Sequence, residues 1–120
     1  MKTPRKVPIT VIIPVRNERE NLGACLRSVR AFDQVLVIDS KSTDGTAELA
    51  TNFGAEVHQF CYGGGWPKKR QWALETLPIR NEWTLLLDAD ERVTPALRKE
   101  LVTIMNDKDH ADGYWINLRL

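Results

Sequence analysis

Two aspartates one residue apart, Asp88 and Asp90, follow the apolar run Leu85-Leu-Leu87. Side chains alternate along a strand, so both carboxylates are expected on the same side where this strand emerges. Two such groups can hold a hard divalent cation, and Mg²⁺ or Mn²⁺ favours carboxylate oxygens combined with phosphate oxygens. The chemistry suggested is the anchoring of a metal–diphosphate. A strand running into a turn also ends in aspartates, so the pair by itself leaves both readings open.

Further polar residues gather after other apolar runs. Arg16-Asn-Glu18 follows Ile9-Thr-Val-Ile-Ile13, and Asp39 closes Val35-Leu-Val-Ile38. Gly63-Gly-Gly-Trp-Pro-Lys-Lys-Arg70 follows Ala55-Glu-Val-His-Gln59. If a phosphate is bound, the cluster Lys68-Lys-Arg70 can help neutralise it, at the opening of a helix whose free N–H groups also favour an anion. Arg70 lies three and four residues before Ala73 and Leu74 and is expected to share their inward side, whereas Lys68 and Lys69 fit a solvated helix face equally well.

The elements that must position these groups alternate strand and helix. The first strand is predicted over 9–13, stopped by Pro14. Asn17 caps the next helix, with Glu20 completing a capping box and Leu22, Leu26 and Val29 at helical spacing. A strand over 35–39, a polar turn Ser40 to Gly45, a helix through Ala47, Ala50 and Phe53 stopped by Gly54, and a short strand over 55–59 follow. A third helix has Pro67 at its first position and Ala73, Leu74 and Leu77 on one face. After the Asp88 strand, Thr94-Pro95 opens a helix with Leu97, Leu101, Ile104 and Met105 inward, and Tyr114 to Leu120 reads as a fifth strand. This alternation predicts an α/β fold, a mostly parallel Rossmann-like sheet flanked by helices, in one domain over 1–120. Ligands bind such sheets outside the carboxyl ends of the strands, where all the polar motifs fall.

Pro14-Val-Arg-Asn-Glu18, Val37-Ile-Asp-Ser-Lys-Ser-Thr-Asp-Gly-Thr46 and Leu87-Asp-Ala-Asp90, in that order and spacing, resemble glycosyltransferase family 2, whose members are inverting nucleotide-sugar transferases of the GT-A fold. The Lys-Lys-Arg-Gln-Trp-Ala-Leu-Glu stretch and Asp-Ala-Asp-Glu-Arg92 are similar to the lipopolysaccharide-core glucosyltransferase branch. The resemblance implies that Pro14 lines the nucleobase pocket with Glu18 at its rim, and that Asp39 hydrogen-bonds uracil. It implies Arg70 near the nucleotide, Asp88 near ribose and metal, and Asp90 as the direct ligand of Mg²⁺ or Mn²⁺. Asp44 matches a second loop aspartate, for which a helix cap is an equal reading. Ser40, Lys41 and Gln71 depart from the family's usual Asp, Gly and Asn. The implied reaction moves a hexose, glucose above all, from a UDP-sugar to a saccharide or lipid-linked saccharide acceptor. A non-catalytic nucleotide-sugar-binding module is the alternative. The family's general base belongs beyond the last strand seen here, so the chain is expected to be the donor-binding half of a longer enzyme, truncated before the acceptor-binding half and inactive alone.

Composition narrows the classes further. Seventeen basic and sixteen acidic residues leave a net charge of +1, which argues against nucleic-acid binding by bulk charge. The dinucleotide and P-loop glycine motifs are absent, as is the basic glycine-rich loop of a nucleotidyltransferase after the first strand. Cys25 and Cys61 fit no metal spacing; Cys25 reads as a small core residue, and His58 and His110 receive no role. Trp66 and Trp72 flank the basic cluster, either packing under the loop or lining an acceptor entrance. No apolar run approaches the roughly 20 residues of a membrane span. A cytoplasmic protein is expected, at the inner face of the membrane if it meets one, with self-association through its apolar final strand.

Overall fold

The computed structural model describes residues 6–61, 68–107, 111 and 113. The readings for Trp66, Pro67, His110 and the strand over 114–120 lie outside these residues. Eight elements alternate: β1 (Val7–Val15), α1 (Arg19–Ser28), β2 (Phe32–Asp39), α2 (Thr46–Asn52), β3 (Glu56–Gln59), α3 (Lys69–Thr76), β4 (Trp83–Leu86) and α4 (Pro95–Met105). The strands form one parallel sheet in the order β3-β2-β1-β4.

Continuous β-branched sequence puts β1 and β2 at the centre, because both of their faces are buried. Ile9, Val11, Ile13 and Val15 point to one face, where Leu22, Cys25 and Leu26 of α1 and Ala50 of α2 meet them, with Leu97, Leu101 and Met105 of α4 packed alongside. Ile12, Leu36 and Ile38 point to the other face, covered by Ala73 and Trp72 of α3. Each fully buried leucine here contributes about 1.5–3 kcal/mol. Among the described residues both edge strands are four residues long, which limits the backbone that they leave unpaired.

Winding direction explains the two layers. The path β1-β2-β3 moves outward one way, with α1 and α2 on one face. The chain then returns past β1 to β4, and a right-handed crossover in that reversed direction must lie on the opposite face. That crossover is α3. A buried polar network fixes its far end: Thr10 Oγ1 donates to Gln34 Oε1 (2.8 Å), Gln34 Nε2 donates to the Pro78 carbonyl (3.0 Å), and Asn81 Nδ2 donates to Thr10 Oγ1 (3.1 Å).

Four local expectations are corrected. Pro14 does not stop β1; it pairs with Ile38 inside the strand. Its missing N–H faces the β4 side, where pairing ends with the bond from Leu87 N–H to the Ile12 carbonyl, so no ladder bond is lost. Asn17 does not cap α1, and Glu20 closes no capping box. Glu18 is the N-cap residue and Asn17 takes a left-handed φ of 52°. Helix α3 starts at Lys69, and Leu74 is 42% exposed rather than inward. Strand β4 ends at Leu86, so Asp88 and Asp90 sit on a turn closed by Glu91 N–H to the Asp88 carbonyl, not on an extended continuation.

Other signals hold. Thr94 Oγ1 accepts from Leu97 N–H (3.1 Å) with Pro95 in the first turn of α4. Gly54 has φ +87° and ends α2 in a Schellman arrangement, with Ala55 N–H bonded to the Ala50 carbonyl and Gly54 N–H to that of Thr51. Open space surrounds the place a Cβ would occupy on Gly54, so Gly54→Ala tests backbone strain alone. We expect it to destabilise the fold by about 1 kcal/mol in urea unfolding; an unchanged midpoint would show that the left-handed residue is not required.

Candidate functional site

The carboxyl edge is built from two loops latched to each other. Asn17 N–H donates to Ser42 Oγ (2.8 Å), and Asn17 Oδ1 accepts from Thr43 N–H (2.8 Å). Glu18 N–H donates to Thr46 Oγ1 (3.1 Å) and Arg19 N–H to Asp44 Oδ2 (3.2 Å). Asp44 also accepts from the backbone and hydroxyl of Thr46, so one carboxylate serves the amino ends of both α1 and α2. The helix-end reading of Asp44 is therefore the one observed, and its carboxyl lies below the ordinary range through these bonds, that from Thr46 foremost. Gly45 suits the position between them because its φ is +87°, in the left-handed region that favours glycine. The two non-glycine left-handed residues among those described, Asn17 and Lys41, both lie on these loops. Such conformations persist where surrounding bonds over-determine them.

Asp39 ends β2 and is 1% exposed. Ser42 donates to it twice, from its hydroxyl to Oδ1 and from its N–H to Oδ2 (3.2 Å), and Gln59 Nε2 donates to Oδ2 (2.7 Å). Burial pushes this carboxyl upward. The bonds from Ser42 and Gln59 and the charge of Lys69 outweigh burial and hold it below its ordinary value. A carboxylate offers about four acceptor positions, and the second lone pair of Oδ1 is the one left for a ligand N–H. Strand alternation sets Asp39 on the same face as Val15 and Gln59, and Pro14 on the α3 face, so the two meet a common ligand only across the edge. Glu18 is half-buried and accepts from Asn21 Nδ2 (3.2 Å).

The second half of the site lies past β4. Asp88 and Arg70 form an ion pair, both about half exposed. Asp88 N–H donates to Glu91 Oε1 (2.7 Å), and Asp90 is exposed. Among the described residues no three His, Cys, Asp or Glu side chains cluster as a ready-made metal cage. Two accessible carboxylates beside Arg70 nevertheless suit Mg²⁺ or Mn²⁺, which take one or two carboxylates plus phosphate oxygens.

The first turn of α3 joins the halves. Arg70 reaches Asp88, and Lys69 Nζ donates to the Val15 carbonyl at the end of β1 (2.5 Å). Burial lowers Lys69 below its ordinary value, Asp39 draws it back up, and Arg16 adds to the lowering. Sequence reasoning left Lys69 open between a phosphate contact and a solvated helix face and did not foresee its half-buried place against the end of β1. The signal was present in its spacing, since residues 69, 73 and 77 share a helix face and Ala73 is buried. Arg70, assigned to that inward side, is instead exposed toward Asp88. Trp72 packs on Phe60, with ring centroids 5.1 Å apart. The buried Cys25 thiol is pushed up to about 12 by burial and is inert. His58 is half-buried, with Nε2 3.7 Å from Glu56.

Comparison with known proteins decides the family, because residues 10–117 match Glycosyl transferase family 2. The chain belongs to glycosyltransferase family 2. It is 33% identical over 119 residues to the lipopolysaccharide core biosynthesis glycosyltransferase LpsC of Rhizobium meliloti (strain 1021), covering 95% of this chain and 43% of that one. An uncharacterized glycosyltransferase of Rickettsia felis is 33% identical over 113 residues, covering 92% of this chain and 39% of the other. The crystal structure of mannosyl-3-phosphoglycerate synthase from Rubrobacter xylanophilus shares the fold, with a TM-score of 0.56, 31% identity and coverage of 72% of this chain and 31% of that one. The chain thus spans about two-fifths of the length of these curated family relatives, and its parallel sheet is that of the GT-A glycosyltransferases.

Two outcomes follow from the loop geometry. Thr46 is fully buried, and Thr46→Val leaves the Glu18 N–H without its acceptor. We expect a loss of about 1–3 kcal/mol in urea unfolding, with Thr46→Ser retaining most of the stability; equal stability of the valine variant would contradict the latch. The folded pKa of Asp39 is depressed below 3.8, so its contribution is complete above that value and is lost as pH falls through the folded value. The stability gap between the wild type and Asp39→Asn should therefore be constant near neutrality and close on acidification below 3.8. A gap that persists at low pH would show that Asp39 does not titrate this way.

Proposed function

We propose that this chain is the donor-binding half of an inverting glycosyltransferase that moves a hexose, glucose above all, from a UDP-sugar to a saccharide or lipid-linked saccharide of the cell envelope. One observation carries the reading. A buried Asp39, a half-exposed Asp88 and an exposed Asp90 lie at the carboxyl edge where winding reverses, and adjacent cations of α3 reach both sides of it. Family membership supports transfer of a sugar, and the name of LpsC supports an envelope acceptor. The name of the Rubrobacter structure, which couples a hexosyl group to a phosphorylated acid, supports a hexose donor. The alternative of a non-catalytic nucleotide-sugar module would use the same donor site.

In this reading Asp39 accepts the imide N–H of uracil, with Pro14 and Glu18 at the sides of the base. Arg70 turns its guanidinium between Asp88 and the diphosphate. Asp88 and Asp90 would hold Mg²⁺ or Mn²⁺, which supplies charge stabilisation to the leaving diphosphate when bound. The general base that deprotonates the acceptor hydroxyl would belong to the acceptor-binding half. By itself the chain would then bind donor without turning it over.

Calorimetry with UDP and ADP, in Mn²⁺ and in EDTA, tests the proposal. We expect UDP to bind more tightly than ADP and more tightly with Mn²⁺. Asp90→Ala should remove the Mn²⁺ enhancement, and Asp39→Ala should narrow the UDP-to-ADP gap, since the discrimination comes from an acceptor that the wrong base leaves unpaired. Equal affinity for both nucleotides and no metal effect in the unmutated chain would overturn it.

A further inference from the structure

We propose that Glu91 is a positioning residue for the divalent cation, closing the turn that lets Asp88 and Asp90 act together. The inference rests on the donor reading above and deepens it. Strand alternation does not align this carboxylate pair, because β4 ends at Leu86 and both aspartates sit on a turn. Their alignment therefore needs another source. Glu91 Oε1 accepts the Asp88 N–H (2.7 Å), and the Glu91 N–H donates to the Asp88 carbonyl (3.0 Å). This reciprocal pair ties the first residue of the turn to the last, so the backbone that carries both aspartates is held from both ends.

The turn is seated on α1 as well. Cys25 Sγ donates to the Asp88 carbonyl (3.7 Å), Ser28 Oγ accepts from the Val93 N–H (3.0 Å), and Ala89 and Val93 are buried in the core that α1 covers. Asp88 stays half exposed and Asp90 exposed, so the turn is anchored inward while both carboxylates reach solvent. A third cation ligand is the other role open to Glu91. Two observations count against it. Among the described residues no three acidic, histidine or cysteine side chains converge, and one Glu91 oxygen is already held by the Asp88 N–H. A bond of this kind orients a coordinating carboxylate from behind. It needs an acceptor at Oε1 rather than a negative charge, and glutamine separates the two roles by keeping the acceptor and losing the charge.

The test uses the full 120-residue chain. Calorimetry measures UDP affinity with Mn²⁺ and in EDTA, and hydrogen exchange reads the Asp88 amide in the ligand-free protein. Glu91→Leu should lower the Mn²⁺ enhancement by about tenfold, as loss of a partner behind a metal ligand does. It should leave the affinity in EDTA unchanged and speed exchange at Asp88. Glu91→Gln should keep most of the enhancement and the slow exchange. If Glu91→Leu fails to fold by circular dichroism, Glu91→Ala takes its place with the same expectations. Equal losses of enhancement in the glutamine and leucine variants would make Glu91 a direct ligand and overturn the proposal. An unaltered enhancement in the folded leucine variant, or an equal fall of its affinity in EDTA, overturns the proposal and leaves the donor reading standing. Absence of the enhancement in the wild type overturns the metal reading and this proposal together.

Discussion

The handedness of one crossover governs this molecule. Right-handed connection of parallel strands leaves no choice of side for α3 once the chain turns back from β3 to β4. The reversal puts the switch point of the sheet between β1 and β4, and the first turn of α3 reaches past the ends of both. Lys69 and Arg70 are neighbours in sequence, yet one grips the end of β1 and the other pairs with Asp88 beyond β4. Two adjacent side chains thus reach from α3 to both sides of the switch point.

Rigidity on the other side comes from hydrogen bonds, not apolar packing. The β1–α1 and β2–α2 loops exchange bonds through Asn17, Thr46 and Asp44, which satisfy the free amide groups at two helix starts at once. Two left-handed non-glycine residues are tolerated there because the loop bonds over-determine them. A site of this kind can be stiff near β1 and β2 and adjustable near the half-exposed Arg70–Asp88 pair. That asymmetry suits a ligand with a rigid base at one end and a charged, metal-associated diphosphate at the other.

Much of this was legible in the residues. The β-branched runs marked the central strands, Thr94-Pro95 and Gly54 marked helix ends, and the polar motifs marked the carboxyl edge of the sheet. What escaped were choices made by partners distant in sequence. Pro14 stays in β1 because β4 has already ended beside it. Asn17 gives up the capping position because Ser42 and Thr43 offer better partners. On α3 Ala73 and Leu77 pack inward as expected, whereas Leu74, which looked like a core residue, and Arg70, which was set beside it, face outward. The polar network of Thr10, Gln34 and Asn81 has no sequence signature, since its logic is mutual satisfaction across the sheet.

The central claim is that one nucleotide spans both sides of the switch point. Amide correlation spectra of the isotope-labelled chain, recorded with UDP and then with UDP and Mn²⁺, test it most directly. The account predicts UDP-induced shifts at residues 15–18, 39–42 and 69–70, and paramagnetic broadening centred on residues 88–90. Shifts confined to the opposite edge of the sheet, or broadening remote from Asp88 and Asp90, would contradict it.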